Sequence, residues 1–228
     1  NKASELIAED ASSISLLKPV LRGRDVQRWA AKPNSMWLVG TFPALKLDIE
    51  NYSAVKKYFE GVGIAKLEQS GKAGSRKKTS FKWFETQDSI AYWEEFEKPK
   101  IMYQVMQVKP CFIYDDQGAY CNNSMWIIPK DDKVLLAILN SKMGWWLISK
   151  YCTAIQNGYQ LIWKYFGQVP IAAASDAQRV EMEAIVNEII ALKKQDADTT
   201  ALESQIDQLV YQLYGLTEEE IAIVEGRC

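Results

Sequence analysis

Two amphipathic repeats at the end of the chain constrain its fold more strongly than any other sequence feature. Within residues 176–194 and 202–213, apolar residues recur at spacings of three and four, which places them on one face of a helix. A polar stretch at 195–200 separates the repeats, so together they predict an antiparallel helical hairpin. Gly215 should end the second helix, and Thr217 with Glu220 forms a capping box for a short last helix. The apolar positions are Met182, Ile185, Val186 and Ile189, then Leu202, Ile206, Leu209 and Leu213.

Residues 1–174 instead contain short apolar runs that are separated by turn residues. The sequence therefore predicts an α+β fold: a mixed, mostly antiparallel β-rich lobe with short helices over residues 1–174, followed by the C-terminal helical hairpin and a short terminal helix over residues 175–228. The predicted strands are 36–42, 81–85, 100–106, 111–115, 119–128, 161–166 and 169–171, and the predicted helices are 52–59 and 131–150.

The residue types of the chain exclude several kinds of catalytic site. The chain has no histidine, which excludes Ser-His-Asp triads, Cys-His pairs and His-ligated metals. Its four cysteines form no CxxC pair, which disfavours structural zinc. Paired acids at 94–95, 115–116 and 131–132 are best explained by turns and helix caps. We predict no catalytic residue, no metal site and no cofactor in this chain.

The chain also lacks features of a membrane or secreted protein. No apolar run approaches the roughly 18 residues that a membrane-spanning helix needs. The sequence opens NKASELIAED, without an initiator Met or a charged-then-apolar leader. We expect an internal fragment of a longer cytoplasmic protein.

A glycine-rich segment at 59–63 (FEGVG) imitates the FxGxG motif with which methyltransferases bind S-adenosylmethionine. That chemistry needs the glycines in a turn from a strand to a helix. Here Gly61 and Gly63 follow a helix-like stretch, and no NPPY tetrapeptide occurs in the chain. The segment is therefore predicted to be the C-terminal end of a helix.

The charge of the chain is divided unevenly along its length. Residues 1–175 carry 23 basic and 17 acidic residues, a net charge of +6, whereas residues 176–228 carry 4 and 12, a net charge of −8. The densest basic stretch, residues 66–82, is predicted to be a flexible loop, and it could contact nucleic acid, because lysine and arginine neutralise phosphates and release counterions. The alternative is a solvated surface loop. The predicted DNA contacts are Lys72, Arg76, Lys77, Lys78 and Lys82, with Arg22 and Arg24 as phosphate anchors.

Most aromatic and methionine residues lie in apolar segments and are predicted to pack in the core, among them Trp163 and Met106. Gln156 and Asn157 lie in a polar segment and could hydrogen-bond to adenine, although a structural turn at Asn157 and Gly158 is the preferred interpretation.

Several segments, taken in order, resemble one family, the TaqI-like C-terminal specificity domain of type II restriction-modification enzymes and adenine-specific DNA methyltransferases. The ending LVYQLYGLTEEE at 209–220 is the most specific of them. The others are LLKPVLRGRDVQRW at 16–29, FEKPKIMYQVM at 96–106, FIYDDQGAYCNNSMWII at 112–128, LLAILNSKMGWWLI at 135–148 and QVPI at 168–171.

The resemblance implies a target recognition domain that reads double-stranded DNA. The implied partner is an N-terminal methyltransferase domain of the same prokaryotic polypeptide, which would bind S-adenosylmethionine and methylate adenine at N6, with or without endonuclease activity. The resemblance implies no catalytic role for this chain and transfers no base-contacting residue to it, because specificity varies between members of the family.

Two alternatives from other classes remain open. The chain could be a protein-interaction module or a separate specificity subunit that docks a methyltransferase through its acidic hairpin. It could also be a self-sufficient enzyme, either a methyltransferase that uses Gly61 and Gly63 or a nuclease that uses scattered acids.

Overall fold

The computed structural model describes residues 2–32 and 35–227. Their secondary structure confirms a mixed α+β fold with antiparallel sheets, short helices and helices at the C-terminal end. The strands are β1 (Leu17–Leu21), β2 (Val26–Gln27), β3 (Ala30–Ala31), β4 (Trp37–Val39), β5 (Lys100–Gln104), β6 (Met106–Gln107), β7 (Phe112–Asp115), β8 (Tyr120–Cys121), β9 (Met125–Ile128), β10 (Thr153–Ile155) and β11 (Gly158–Gln160). The helices are α1 (Lys2–Glu9), α2 (Ser53–Val62), α3 (Ile64–Leu67), α4 (Glu94–Glu97), α5 (Lys133–Asn140), α6 (Lys142–Tyr151), α7 (Trp163–Phe166), α8 (Asp176–Lys193), α9 (Thr200–Tyr214) and α10 (Glu218–Val224).

The described residues form two compact units whose segments alternate along the chain. Unit 1 contains residues 2–20, 35–97 and 118–120, and unit 2 contains residues 21–32, 98–117 and 121–227. The division at residues 174 and 175 into a recognition lobe and a docking hairpin stays a prediction. Helix α8 begins beside that position, where Ser175 and Gln178 form a capping box.

Unit 1 is built on a small sheet in the order β4-β1-β8, in which β1 and β4 are antiparallel. Leu17 of β1 pairs with Val39 of β4, and the apolar side chain of Leu17 packs against α1 and α2 through Leu6 and Ala54. The predicted strand at 36–42 and helix at 52–59 are confirmed as β4 and α2. The predicted strand at 81–85 is wrong, because these residues form a turn in which Phe84 is buried.

Unit 2 has its core between an antiparallel sheet, in the order β7-β5-β9, and a layer of helices. Strand β5 is central: it pairs with β7 from Lys100 to Tyr103 and with β9 from Ile101 to Gln104. The two remaining sheets of this unit pair β2 with β3 and order three strands as β10-β11-β6.

The predicted helix over 131–150 is two helices, α5 and α6, because Ser141 adopts an extended conformation between them. The Ser141 hydroxyl accepts a hydrogen bond from the Gly144 N–H, and so caps α6. The predicted strand at 161–166 is also wrong, since its last four residues form the short helix α7.

The C-terminal repeats form α8 and α9 as predicted, and both helices pack against α5. Their buried positions include Met182, Val186 and Ile189 on α8 and Ile206 on α9. The other buried positions of α9 differ from the prediction. Val210 and Tyr211 are buried, whereas the predicted Leu209 and Leu213 are only partly buried. Gly215 ends α9 with a positive φ of 65°, and the capping box at Thr217 begins α10, both as predicted.

Among the described residues, no helix combines the length and apolarity required to cross a membrane.

Candidate nucleic-acid interface

The basic loop, defined as residues 66–82 of unit 1, is held by hydrogen bonds rather than extended into solvent. The Arg76 N–H donates to the Glu68 carbonyl at 2.9 Å, and the Gly71 N–H donates to the Arg76 carbonyl at 3.0 Å. The buried side chain of Gln69 donates to the carbonyls of Lys82 and Glu85, at 3.1 and 2.8 Å. The predicted flexible loop is therefore an ordered one.

Arg76 is directed into this loop. Its guanidinium donates to the backbone carbonyls of Leu67, Trp83 and Glu85 at 2.7, 2.6 and 3.0 Å. Burial lowers the pKa of this guanidinium, because desolvation disfavours the charged form. A DNA contact by Arg76 stays a prediction, but the structure gives the side chain a role in holding the loop.

The lysines of the loop differ in whether their ammonium groups bind other parts of the protein. Lys72, Lys77 and Lys78 are exposed, and within residues 2–32 and 35–227 their ammonium groups make no hydrogen bond or ion pair. The Lys82 ammonium instead donates to the Leu47 carbonyl at 2.8 Å. It also lies 5.5 Å from the centre of the Phe84 ring, which is within cation–π range. Three of the four predicted lysines therefore present an unpaired charge to solvent.

The arginines of the 22–28 segment belong to unit 2, and two of them are engaged within it. Arg22 makes a bidentate ion pair with the buried Asp25, with N–O distances of 2.8 and 2.9 Å. This ion pair lowers the pKa of Asp25 to about 2, chiefly through the hydrogen bonds from Arg22. Arg28 donates to the Asn140 carbonyl at 2.6 Å and makes an ion pair with Glu203. Arg24 is exposed, with no hydrogen bond or ion pair from its side chain to any described residue.

Two further cations, which the sequence alone does not connect with DNA binding, lie near Arg24. Lys32 and Lys109 line the same surface pocket as Arg24, although they are 77 positions apart in the chain. Lys109 follows strand β6, and Lys32 follows strand β3, where its N–H donates to the Asp25 carbonyl at 2.7 Å. The fold of unit 2 brings them together, so no local sequence pattern could have connected them.

Gln156 and Asn157 form the two-residue turn of the β10–β11 hairpin, and both are exposed. The segment is a structural turn as predicted, but it lies one residue earlier than Asn157 and Gly158, because Gly158 is the first residue of β11. The amide side chains at the tip remain in solvent, where they could hydrogen-bond to base edges. Two residues predicted to lie in the core, Met106 and Trp163, are also largely exposed, at 61% and 59%.

The features that imitate catalytic sites have structural explanations. Gly61 lies inside α2, and Gly63 ends that helix with a φ of 107°, so the glycines do not form the strand-to-helix turn that would hold S-adenosylmethionine. Asp132 caps α5 by accepting from the Leu135 N–H, as predicted. Asp115 does not serve a turn: it lies in β7 and makes a buried ion pair of 2.5 Å with Lys100. In the described part of the chain, no cluster of three His, Cys, Asp or Glu side chains could hold a metal ion.

The described residues thus form an α+β scaffold that carries exposed lysines on an ordered loop. The chain belongs to the family of TaqI-like C-terminal specificity domains, whose profile matches residues 18–171.

The fold is also similar to a solved structure of the type IIL restriction-modification enzyme MmeI in complex with DNA. The TM-score is 0.59 at 14% sequence identity, and the match covers 96% of this chain and 31% of that one. The chain thus spans about a third of the length of that structure, and at this identity the likeness concerns the fold.

Proposed function

We propose that this chain is the target recognition domain of a restriction-modification enzyme and that it binds double-stranded DNA. It would position the duplex for a methyltransferase domain that lies outside this chain and modifies adenine at N6 with S-adenosylmethionine. The parent protein would act in the cytoplasm of a prokaryote, with or without endonuclease activity. Membership of the specificity-domain family and a fold shared with MmeI support this proposal.

The observation that carries the proposal is the arrangement of Lys72, Lys77 and Lys78. An ordered loop holds their ammonium groups in solvent without a carboxylate partner among the described residues. Lysines in this state can neutralise phosphates without first breaking an ion pair, and the ordered backbone lowers the entropy lost on binding. Phosphate contacts of this kind fix the register of the duplex, whereas base contacts specify the sequence.

The alternative of a docking module has less support. The apolar faces of α8 and α9 are buried in the core of unit 2 through residues such as Val186, Ile189 and Ile206. The hairpin therefore uses its apolar seam internally, and we favour DNA recognition as the function of the chain.

The salt dependence of DNA binding tests the proposal. The chain is titrated against a fluorescent duplex, by anisotropy, at several salt concentrations. Each phosphate that is neutralised contributes about −0.9 to the slope of log K against log salt concentration. Replacing Lys72, Lys77 and Lys78 by glutamine should therefore make the slope shallower by about 2–3.

A matched variant controls for the loss of net charge. Lys130, Lys150 and Lys164 are also exposed, and replacing these three by glutamine removes the same charge from other parts of the sequence. This control should keep the wild-type slope. Equal changes in the two triple variants would show that only net charge matters, and an absence of DNA binding by the wild-type chain would refute the proposed function.

A further inference from the structure

A pocket of about 220 Å³ in unit 2 is lined by three cations. Arg24, Lys32 and Lys109 all line it, and no aspartate or glutamate does. All three residues are exposed, and their charged groups make no hydrogen bond or ion pair with any residue that the structure describes. Three unpaired positive charges thus share one concave surface.

Acidic groups lie beside this charge but outside the pocket lining: Asp25 interacts electrostatically with Arg24, and Lys109 also lines a neighbouring pocket with Asp196 and Glu203. Asp25 lies close to Arg24 in sequence, but its carboxylate is already bound by both arms of the Arg22 guanidinium. Cys111 lines the pocket, and burial raises the pKa of its thiol to about 11, with a smaller opposing effect from Lys109. The thiol is therefore neutral at physiological pH and adds no negative charge.

The walls of the pocket are held by side-chain to backbone hydrogen bonds. Gln104 donates to the carbonyl of Gly23, which precedes Arg24. The Gln107 amide donates to the Gln104 carbonyl at 3.0 Å and accepts from the Cys111 N–H at 2.9 Å, which closes the turn that carries Lys109. The cations therefore project from an ordered frame, and a ligand would not have to order the backbone before it binds.

We propose that this pocket binds a phosphodiester group of the DNA backbone, an inference that rests on the proposed function. A phosphodiester carries one negative charge and offers several acceptor oxygens, which suits a guanidinium and two ammonium groups without a competing carboxylate. The pocket gives unit 2 a phosphate contact of its own, in addition to the basic loop of unit 1.

The test uses the whole chain and a triple variant in which Arg24, Lys32 and Lys109 are each replaced by glutamine. Duplex binding is measured by anisotropy over a range of salt concentrations. The slope of log K against log salt concentration should become shallower by about 1 in this variant if the pocket neutralises one phosphate. The Lys130, Lys150 and Lys164 variant again serves as the charge-matched control, and thermal unfolding checks that each variant is folded.

A second readout separates this inference from the proposed function. Inorganic phosphate is titrated into the labelled chain, and saturable shifts are expected at the amides of Lys32 and Lys109, but not in the triple variant. DNA binding with an unchanged slope in a folded triple variant would overturn the pocket and leave the proposed function standing. Phosphate shifts without any duplex binding would overturn the proposed function and, with it, the DNA phosphodiester as the ligand of the pocket, and the absence of both would overturn both.

Discussion

Replacing Arg76 by lysine separates a structural role for this side chain from a direct contact with DNA. Lysine keeps the positive charge, but its ammonium cannot reproduce the planar fork with which the guanidinium reaches three carbonyls. If Arg76 acted only through its charge, Arg76→Lys would change little. The hydrogen bonds seen in the structure predict instead that the loop loses its internal support.

The expected size of this effect follows from the contacts. Arg76 donates three hydrogen bonds, and each bond from a charged donor contributes about 1.5–3 kcal/mol. Lysine can keep one of the three, and the carbonyls that it leaves can bind water because the loop is at the surface. We therefore expect Arg76→Lys to lower the free energy of unfolding by about 3 kcal/mol, the lower end of the range for two such bonds.

Urea denaturation followed by tryptophan fluorescence measures the effect, since Trp83 accepts one of these bonds through its carbonyl. The matched control replaces Lys77 and Lys78 by glutamine: both residues are exposed in the same loop, so stability should change by less than about 0.5 kcal/mol. The control should nevertheless weaken DNA binding. A loss of less than about 0.5 kcal/mol in Arg76→Lys would refute the structural role.

Three further predictions concern the stability of the fold. Asp115→Asn removes the charge that faces Lys100 in a buried ion pair and should lower the free energy of unfolding by about 3–5 kcal/mol in urea denaturation; a loss below about 1 kcal/mol would contradict this. Gly158→Ala should lower the free energy of unfolding by about 2–3 kcal/mol, because the added Cβ would lie 1.9 Å from the Gln107 carbonyl oxygen. The control Gly61→Ala, where the added Cβ meets open space on a helix, should leave the free energy of unfolding unchanged or raise it in the same assay. The pKa of Asp25 is lowered to about 2 in the folded protein. Its carboxylate therefore contributes fully to the stability of the fold above about pH 4, and this contribution is lost as the pH falls from about 4 to 2. Wild-type stability should therefore fall by about 1–2 kcal/mol more than that of Asp25→Asn over this interval, and parallel pH profiles would refute the assignment.

Periodicity and capping residues predicted the C-terminal helices well, because these signals are local. Thr217 caps a helix at the expected position, and Gly215 ends α9 in the left-handed conformation that glycine adopts readily. The break at Ser141 was missed, since the apolar pattern runs through it and only the hydroxyl cap separates α5 from α6. Residues 161–166 were misassigned for a related reason: a short apolar run has no period that distinguishes a strand from one turn of helix.

The candidate site was only partly accessible from the sequence. Counting charges located the basic loop, but it could not show which cations the fold itself uses. Arg76 binds carbonyls that lie 7 to 9 positions away, and Lys82 binds a carbonyl 35 positions away. The pocket shared by Lys32 and Lys109 depends on tertiary structure alone. Composition therefore predicts the sign of the charge on a surface, whereas the folded backbone around each charged side chain decides whether it is free to bind a ligand.

The distribution of arginine and lysine has a consequence for how this domain would read DNA. Arg22, Arg28 and Arg76 each use the guanidinium to bind several acceptors within the protein. The exposed cations of the basic loop are lysines, which act as point charges and suit phosphates better than the paired acceptors of a base edge. Sequence discrimination by this chain would then need donors elsewhere. The exposed amides at the tip of the β10–β11 hairpin, Gln156 and Asn157, are of the kind that bind adenine with two hydrogen bonds, and Gly158 fixes that hairpin closely against Gln107.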